Sequence, residues 1–225
     1  MKTKLLTITI CAFLCAFMSC KKEQSSSQPD QETTGVSVVD KALINEVVTL
    51  SSYTERKAAY TDILSGTERY TVWAERSQAI LNSGVLNSEQ AGLFKQAVAK
   101  LNVLLFTSKT ERYGQSAFFD EWKIKATKVF TQAQLRYLIS DVAKFDKEVF
   151  VGLGKSNSNN LSLSYKTVLG SGCGCSVISD WCGSQGDCLR VEGCTANGYC
   201  GTFLIYECNG KCSLVMAEEQ HEDEG

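Results

Sequence analysis

The 225 residues hold a single proline, Pro29, and a single histidine, His221. A lone histidine among C-terminal acids is a poor general base. The chain has no Gly-x-Ser-x-Gly turn, His-Glu-x-x-His pair or matched carboxylates to supply another reactive group. The expectation is a non-enzymatic protein without a cofactor. Charge of one sign is missing too. With 23 basic residues against 25 acidic ones the net charge is −2, and no basic stripe is present, which excludes nucleic acid as the expected partner. Gly152-Leu153-Gly154 and Gly170-Ser171-Gly172 are not followed by Lys-Ser or Lys-Thr, so neither reads as a phosphate loop.

Long apolar runs are also lacking. The uncharged stretch 5–18 has fourteen residues, short of the roughly 20 that a transmembrane helix needs. Preceded by Lys2 and Lys4 and followed by Ser19-Cys20, it reads as an export signal over 1–19. Phe17-Met18-Ser19-Cys20 resembles a lipobox, which makes Cys20 the expected lipidation site and a lipid anchor in the cell envelope the expected membrane contact. Residues 20–37 are polar, contain Pro29, and read as a flexible tether spanning roughly 25 Å.

What the chain has in quantity is cysteine, eleven in all, of which Cys11 and Cys15 fall in the signal. Eight lie within 173–216: Cys173, Cys175, Cys182, Cys188, Cys194, Cys200, Cys208 and Cys212. An even count in an exported chain reads as a disulfide framework, because a segment this small buries too little apolar surface to hold its shape without staples. Eight cysteines allow about 105 connectivities, and sequence does not choose among them. Zinc is the weaker reading, since no Cys-x-x-Cys pair occurs and His221 stands apart.

Asn197-Gly198 and Asn209-Gly210 carry the signal of type I′ hairpin turns. The run 202–206 is rich in β-formers. Together they predict a three-stranded meander near 189–194, 200–208 and 211–216. Arg190 and Lys211 face Asp180, Asp187, Glu192 and Glu207 in this segment, so attraction to anionic lipid is not its targeting force. Contact with a membrane or partner then falls to Phe203, Leu204, Ile205 and Tyr206.

The opening Cys173-Gly174-Cys175-Ser176, then Ser179-Asp180-Trp181-Cys182, Cys188, Cys194 and a terminal Cys208-Asn209-Gly210, resemble the fulvocin C-related bacteriocin family. The turn Leu64-Ser65-Gly66, Trp73 and the stretch 86–90 resemble that family's helical region more loosely. The resemblance implies an exported precursor whose C-terminal segment is an antimicrobial effector, with a target-cell receptor or an immunity protein as partner. The alternative is a surface lipoprotein whose cysteine module binds or braces and never leaves the chain.

Between tether and cysteines, 38–151 has helical periods. Leu43, Val47 and Leu50 suggest a first helix; Ser52 with Glu55 starts a second; a third runs from near Thr67 through Tyr70, Trp73, Ile80 and Leu81 to a stop at Gly84. Asn87 with Gln90 starts a fourth whose stripe reaches Leu104 and Leu105. A fifth covers about 115–128, and Thr131 with Gln134 starts a sixth that carries Val142 and Phe145. Tyr70, Trp73, Phe118 and Trp122 fall on helical stripes and read as core before they read as a ligand groove. Thr-Glu-Arg-Tyr occurs twice, at 67–70 and 110–113, and 85–101 echoes 129–145. Two copies fall short of a repeat array, so the echo reads as shared helix-start vocabulary. Residues 152–172 read as a Gly/Ser/Asn-rich linker open to cleavage, and 217–225 as a solvated acidic tail. The expected fold is α+β in two parts, an all-α domain followed by a small disulfide-rich β-meander module.

Overall fold

Four side chains set the starts of the predicted helices. Ser52 accepts a hydrogen bond from the Glu55 amide. Ser65, Asn87 and Thr131 each form a complete capping box with Glu68, Gln90 and Gln134, which satisfies amides that a helix start otherwise leaves orphaned. The computed structural model describes residues 38–155, 173–179, 181–182, 187–192, 194 and 198–213. The signal, Cys20, the tether, residues 156–172 of the linker, Asn197, His221 and the acidic tail lie outside the described residues.

The helices are α1 (Lys41–Thr49), α2 (Tyr53–Asp62), α3 (Gly66–Asn82), α4 (Ser88–Val98), α5 (Val103–Thr107), α6 (Lys109–Gly114), α7 (Ser116–Ala126), α8 (Gln132–Ser140) and α9 (Lys147–Lys155). All six expected helices are present. Gly84 takes φ +70° just past α3, the left-handed stop that glycine tolerates. The fourth helix stops at Val98, and Asn102 caps a separate α5 by accepting from the Leu105 amide. A polar residue able to bond its own backbone breaks the apolar stripe there. The sixth ends at Ser140, so Val142 is buried from a turn. Residues 152–155, read from composition as linker, are the end of α9. Leu153 there is buried, and a Cβ on Gly154 would meet the Gln134 amide at 2.6 Å. Close packing against α8 is what favours glycine at that position.

The core contains Tyr60, Trp73, Phe94, Phe119, Trp122, Leu135 and Leu138. Trp73 donates to the Tyr60 hydroxyl at 3.0 Å and Trp122 to the Leu93 carbonyl at 2.8 Å, so neither buried indole is unsatisfied. Arg56 pairs with Asp141 at 3.2 Å and donates to the Leu50 and Ser51 carbonyls, fastening α2 to the turn after α8.

The C-terminal part has short antiparallel strands, as the fold class requires, in an order that differs from a meander. The strands are β1 (Cys188–Arg190), β2 (Tyr199–Cys200), β3 (Tyr206–Glu207) and β4 (Gly210–Cys212). β1 pairs with β4, Leu189 opposite Lys211, and β2 pairs with β3, Tyr199 opposite Glu207. The inner pair is nested between the two strands of the outer pair in sequence. Asn209-Gly210 is accordingly not a hairpin turn. The Asn209 side chain accepts from the Val177 amide at 2.9 Å, and the Gly210 carbonyl accepts from Gly174 and Cys175. Both groups are engaged with 174–177. The helical and cysteine-rich parts belong to one compact unit, with Trp181, Phe203, Leu204, Ile205 and Tyr206 in the same core as the helices.

Candidate functional site

The eight cysteines pair as Cys173–Cys194, Cys175–Cys188, Cys182–Cys212 and Cys200–Cys208. The first three bonds link the looped segment 173–182 to later residues, and the fourth closes the β2–β3 pair on itself. The sulfurs of Cys175, Cys182 and Cys188 lie within 4.8 Å of one another, a spacing that thiolates could offer a metal. Here they are spent in two disulfides.

Between β2 and β3 the chain does not run as the extended strand that its β-formers predict. Thr202–Leu204 form a 3-10 turn in which Phe203 and Leu204 take φ 56° and 49°, left-handed values that side chains rarely adopt. Gly201 precedes them at φ 77°, and a Cβ there would meet Ser179 and Tyr206 atoms within 3 Å. Tertiary contacts hold this turn. The Thr202 hydroxyl accepts from the Trp181 indole at 2.9 Å, and the Thr202 amide donates to Ser179 Oγ at 3.0 Å. Such strain persists only where the surroundings over-determine the backbone.

The turn drives Phe203 between Trp73 and Phe119, with ring centroids 5.2 Å and 6.0 Å away. Phe203, Leu204, Ile205 and Tyr206 are at most 2% exposed. In the full chain the four residues expected to meet a membrane or partner are thus covered by the helices. Their apolar character is used internally, because the helices offer a larger apolar surface than water or a small module can.

The seat beneath the module is basic. The Arg136 guanidinium donates to the carbonyls of Trp181 at 2.7 Å and Cys182 at 2.8 Å. The Lys123 ammonium stands 5.0 Å from the Trp181 ring centre, and Lys109 pairs with Glu207 at 3.4 Å. Arg69 and Arg112 both reach the ring of Tyr199, at 4.1 Å and 5.8 Å. Lys57 Nζ lies 3.4 Å from Cys200 Sγ, and burial pushes its pKa down to about 8. Burial also raises the Tyr206 phenol, with the Asp120 carboxylate adding to the effect.

These cationic side chains were not singled out by motif. The one signal for them is the repeated Thr-Glu-Arg-Tyr: its two arginines are Arg69 and Arg112, placed one turn inside α3 and α6 by equivalent caps at Ser65 and Ser108. The helix-start vocabulary thus carries a second piece of information, the placement of the seat. Among the described residues no helix is long and apolar enough to cross a membrane. Comparison with known protein families, curated proteins and solved structures finds no match.

Proposed function

We propose that this protein is an exported, bacteriocin-like precursor of the fulvocin C-related type, tethered to the cell envelope through a lipid on Cys20. Its disulfide-stapled C-terminal segment is the candidate effector, and its helical part keeps that segment masked. The reading rests on the Cys-Gly-Cys-Ser and Ser-Asp-Trp-Cys frame together with the four disulfides. The observation that carries the masking is the burial of Phe203–Tyr206 among the helices. A segment of mildly acidic charge has no electrostatic pull toward anionic lipid, so its apolar run is what it would present to a target-cell receptor or a bilayer. With that run covered, the full chain is the inactive form. An immunity protein that recognises the effector would have to compete with the helical seat. Neither catalysis nor nucleic acid enters this function.

A second reading, a surface lipoprotein whose cysteine module braces the fold and never leaves it, is favoured by the same contact between Phe203 and Trp73. Mass spectrometry of secreted and envelope fractions separates the two. A chain cut in the linker, whose eight-cysteine fragment stays seated until it is freed from the helices and then inhibits growth in oxidised form, supports the precursor. Only full-length lipidated chain, with no inhibition by the oxidised fragment, supports the brace.

A further inference from the structure

Two arginines from two copies of one helix start meet at a single ring. Arg69 and Arg112 occupy the same position in Ser65-Gly66-Thr67-Glu68-Arg69-Tyr70 and Ser108-Lys109-Thr110-Glu111-Arg112-Tyr113, and both guanidinium groups stand at the Tyr199 ring. Each residue is only 8% exposed. A buried guanidinium ordinarily has a carboxylate or a set of carbonyls around it. Arg56 follows that rule with Asp141 and two carbonyls, and Arg76 with the carbonyls of Tyr137 and Ala143.

Arg69 and Arg112 do not follow it. Among the described residues Arg69 donates one hydrogen bond, to the Phe106 carbonyl at 3.2 Å, and its Nε is buried without a partner. The Arg112 side chain makes no hydrogen bond among the described residues, and its Nε is buried too. Neither arginine has a carboxylate within ion-pair distance among the described residues. Two further buried groups lack partners among the described residues, the Tyr206 hydroxyl, within electrostatic reach of Arg112, and Thr61 Oγ1, which lies against Gly198, the residue before Tyr199. Among the described residues the acids placed near the seam are Glu207, held by Lys109, and Asp120, which acts on Tyr206 and is itself pushed toward its neutral form by burial. Stacking on Tyr199 compensates the faces of the guanidinium groups and leaves both Nε–H donors without an acceptor among the described residues.

We propose that this seam binds a small oxyanion, a carboxylate or phosphate group, through the guanidinium groups of Arg69 and Arg112 beside Tyr199. Both ligands match the planar donor fork of arginine. The site joins α3 and α6 to β2, so occupancy locks the cysteine-rich part onto the helices. The contact exists in the full chain, so the inference does not depend on the proposed function.

The test is thermal unfolding of the full oxidised chain in sodium phosphate, sodium acetate and sodium chloride at matched ionic strength. One of the two oxyanions should raise the melting temperature over chloride, by about 3–6 °C at ten times its dissociation constant, and which one does so identifies the class. Arg112→Gln should abolish the rise and Arg112→Lys, which keeps charge without the fork, should weaken it. If Arg112→Gln does not fold, the arginine Nε–H resonances of the wild-type chain decide: two of them should move on titration with the active anion. Equal melting in all three salts with unmoved resonances would mean that the arginines only clamp Tyr199, and a rise that survives Arg112→Gln would mean binding elsewhere. Either result overturns the site.

Discussion

The Phe203 ring stands edge-on to the Trp73 indole, centroids 5.2 Å apart and planes at 74°. One residue belongs to the disulfide-rich part and the other to α3, so two segments that composition separates share one core. Phe203→Ala should therefore destabilise both together, by about 3–5 kcal/mol, the usual cost of emptying a buried aromatic site. Urea unfolding followed by helical circular dichroism and by tryptophan fluorescence checks this. The midpoints of both signals should fall in step; loss of one alone would show that the parts fold apart.

The pair Arg56–Asp141 ties α2 to the turn after α8, with side chains about nine-tenths buried. Asp141→Asn keeps the shape and removes the charge, leaving the guanidinium without its counterion. The expected loss is about 3 kcal/mol, read as a lower urea midpoint with an unchanged slope. A loss below about 0.5 kcal/mol, typical of exposed pairs, would contradict the burial.

Cross-links differ in how much chain they constrain. Cys182–Cys212 closes 30 residues and Cys200–Cys208 closes 8, which by loop entropy is about 3.5 against about 2.5 kcal/mol. Replacing Cys182 and Cys212 with alanine should cost more than replacing Cys200 and Cys208, as measured by thermal unfolding under non-reducing conditions. The reverse order would mean that the β2–β3 clamp under Phe203 outweighs chain entropy.

Stability should pass through a maximum on the alkaline side. Burial lowers the Lys57 amine from 10.5 to about 8. Between these values the unfolded chain binds a proton that the folded chain has released, so stability rises with pH across that window. Tyr53 is raised from 10.0 to about 12, and Tyr60 and Tyr206 are raised by burial as well. Above pH 10 the folded chain keeps protons that the unfolded chain has lost, and stability falls. Lys57→Met should flatten the rising limb and leave the falling one; a wild-type profile flat from pH 8 to 10 would contradict the desolvated amine.

Helix starts were legible because Asn87, Thr131 and their N3 partners encode a local hydrogen-bond pattern that needs no tertiary information. The cysteine framework was legible from an even count of cysteines in a short segment, and the α+β class from helical periods followed by that segment. The cysteine pairing was not, since Cys182 meets Cys212 only once the chain has folded back on itself. The run at 202–206 misled most: β-formers predict a strand on an isolated module, whereas the apolar seat formed by Trp73 and Phe119 holds Phe203 and Leu204 in left-handed backbone instead. The helix α9 as a whole was hidden by Gly152 and Gly154, which weaken helix propensity, while Gly154 lets it approach Gln134.

The masking of Phe203–Tyr206 by the helices has one direct test. A protease site placed within 156–172 of the full oxidised chain is cut under native conditions, and the product is weighed by native mass spectrometry and sized by gel filtration. The two pieces should stay together as one non-covalent species of full-length mass and separate only in denaturant. Two independently eluting pieces in native buffer, with the eight-cysteine fragment free, would contradict the shared core on which the masking depends.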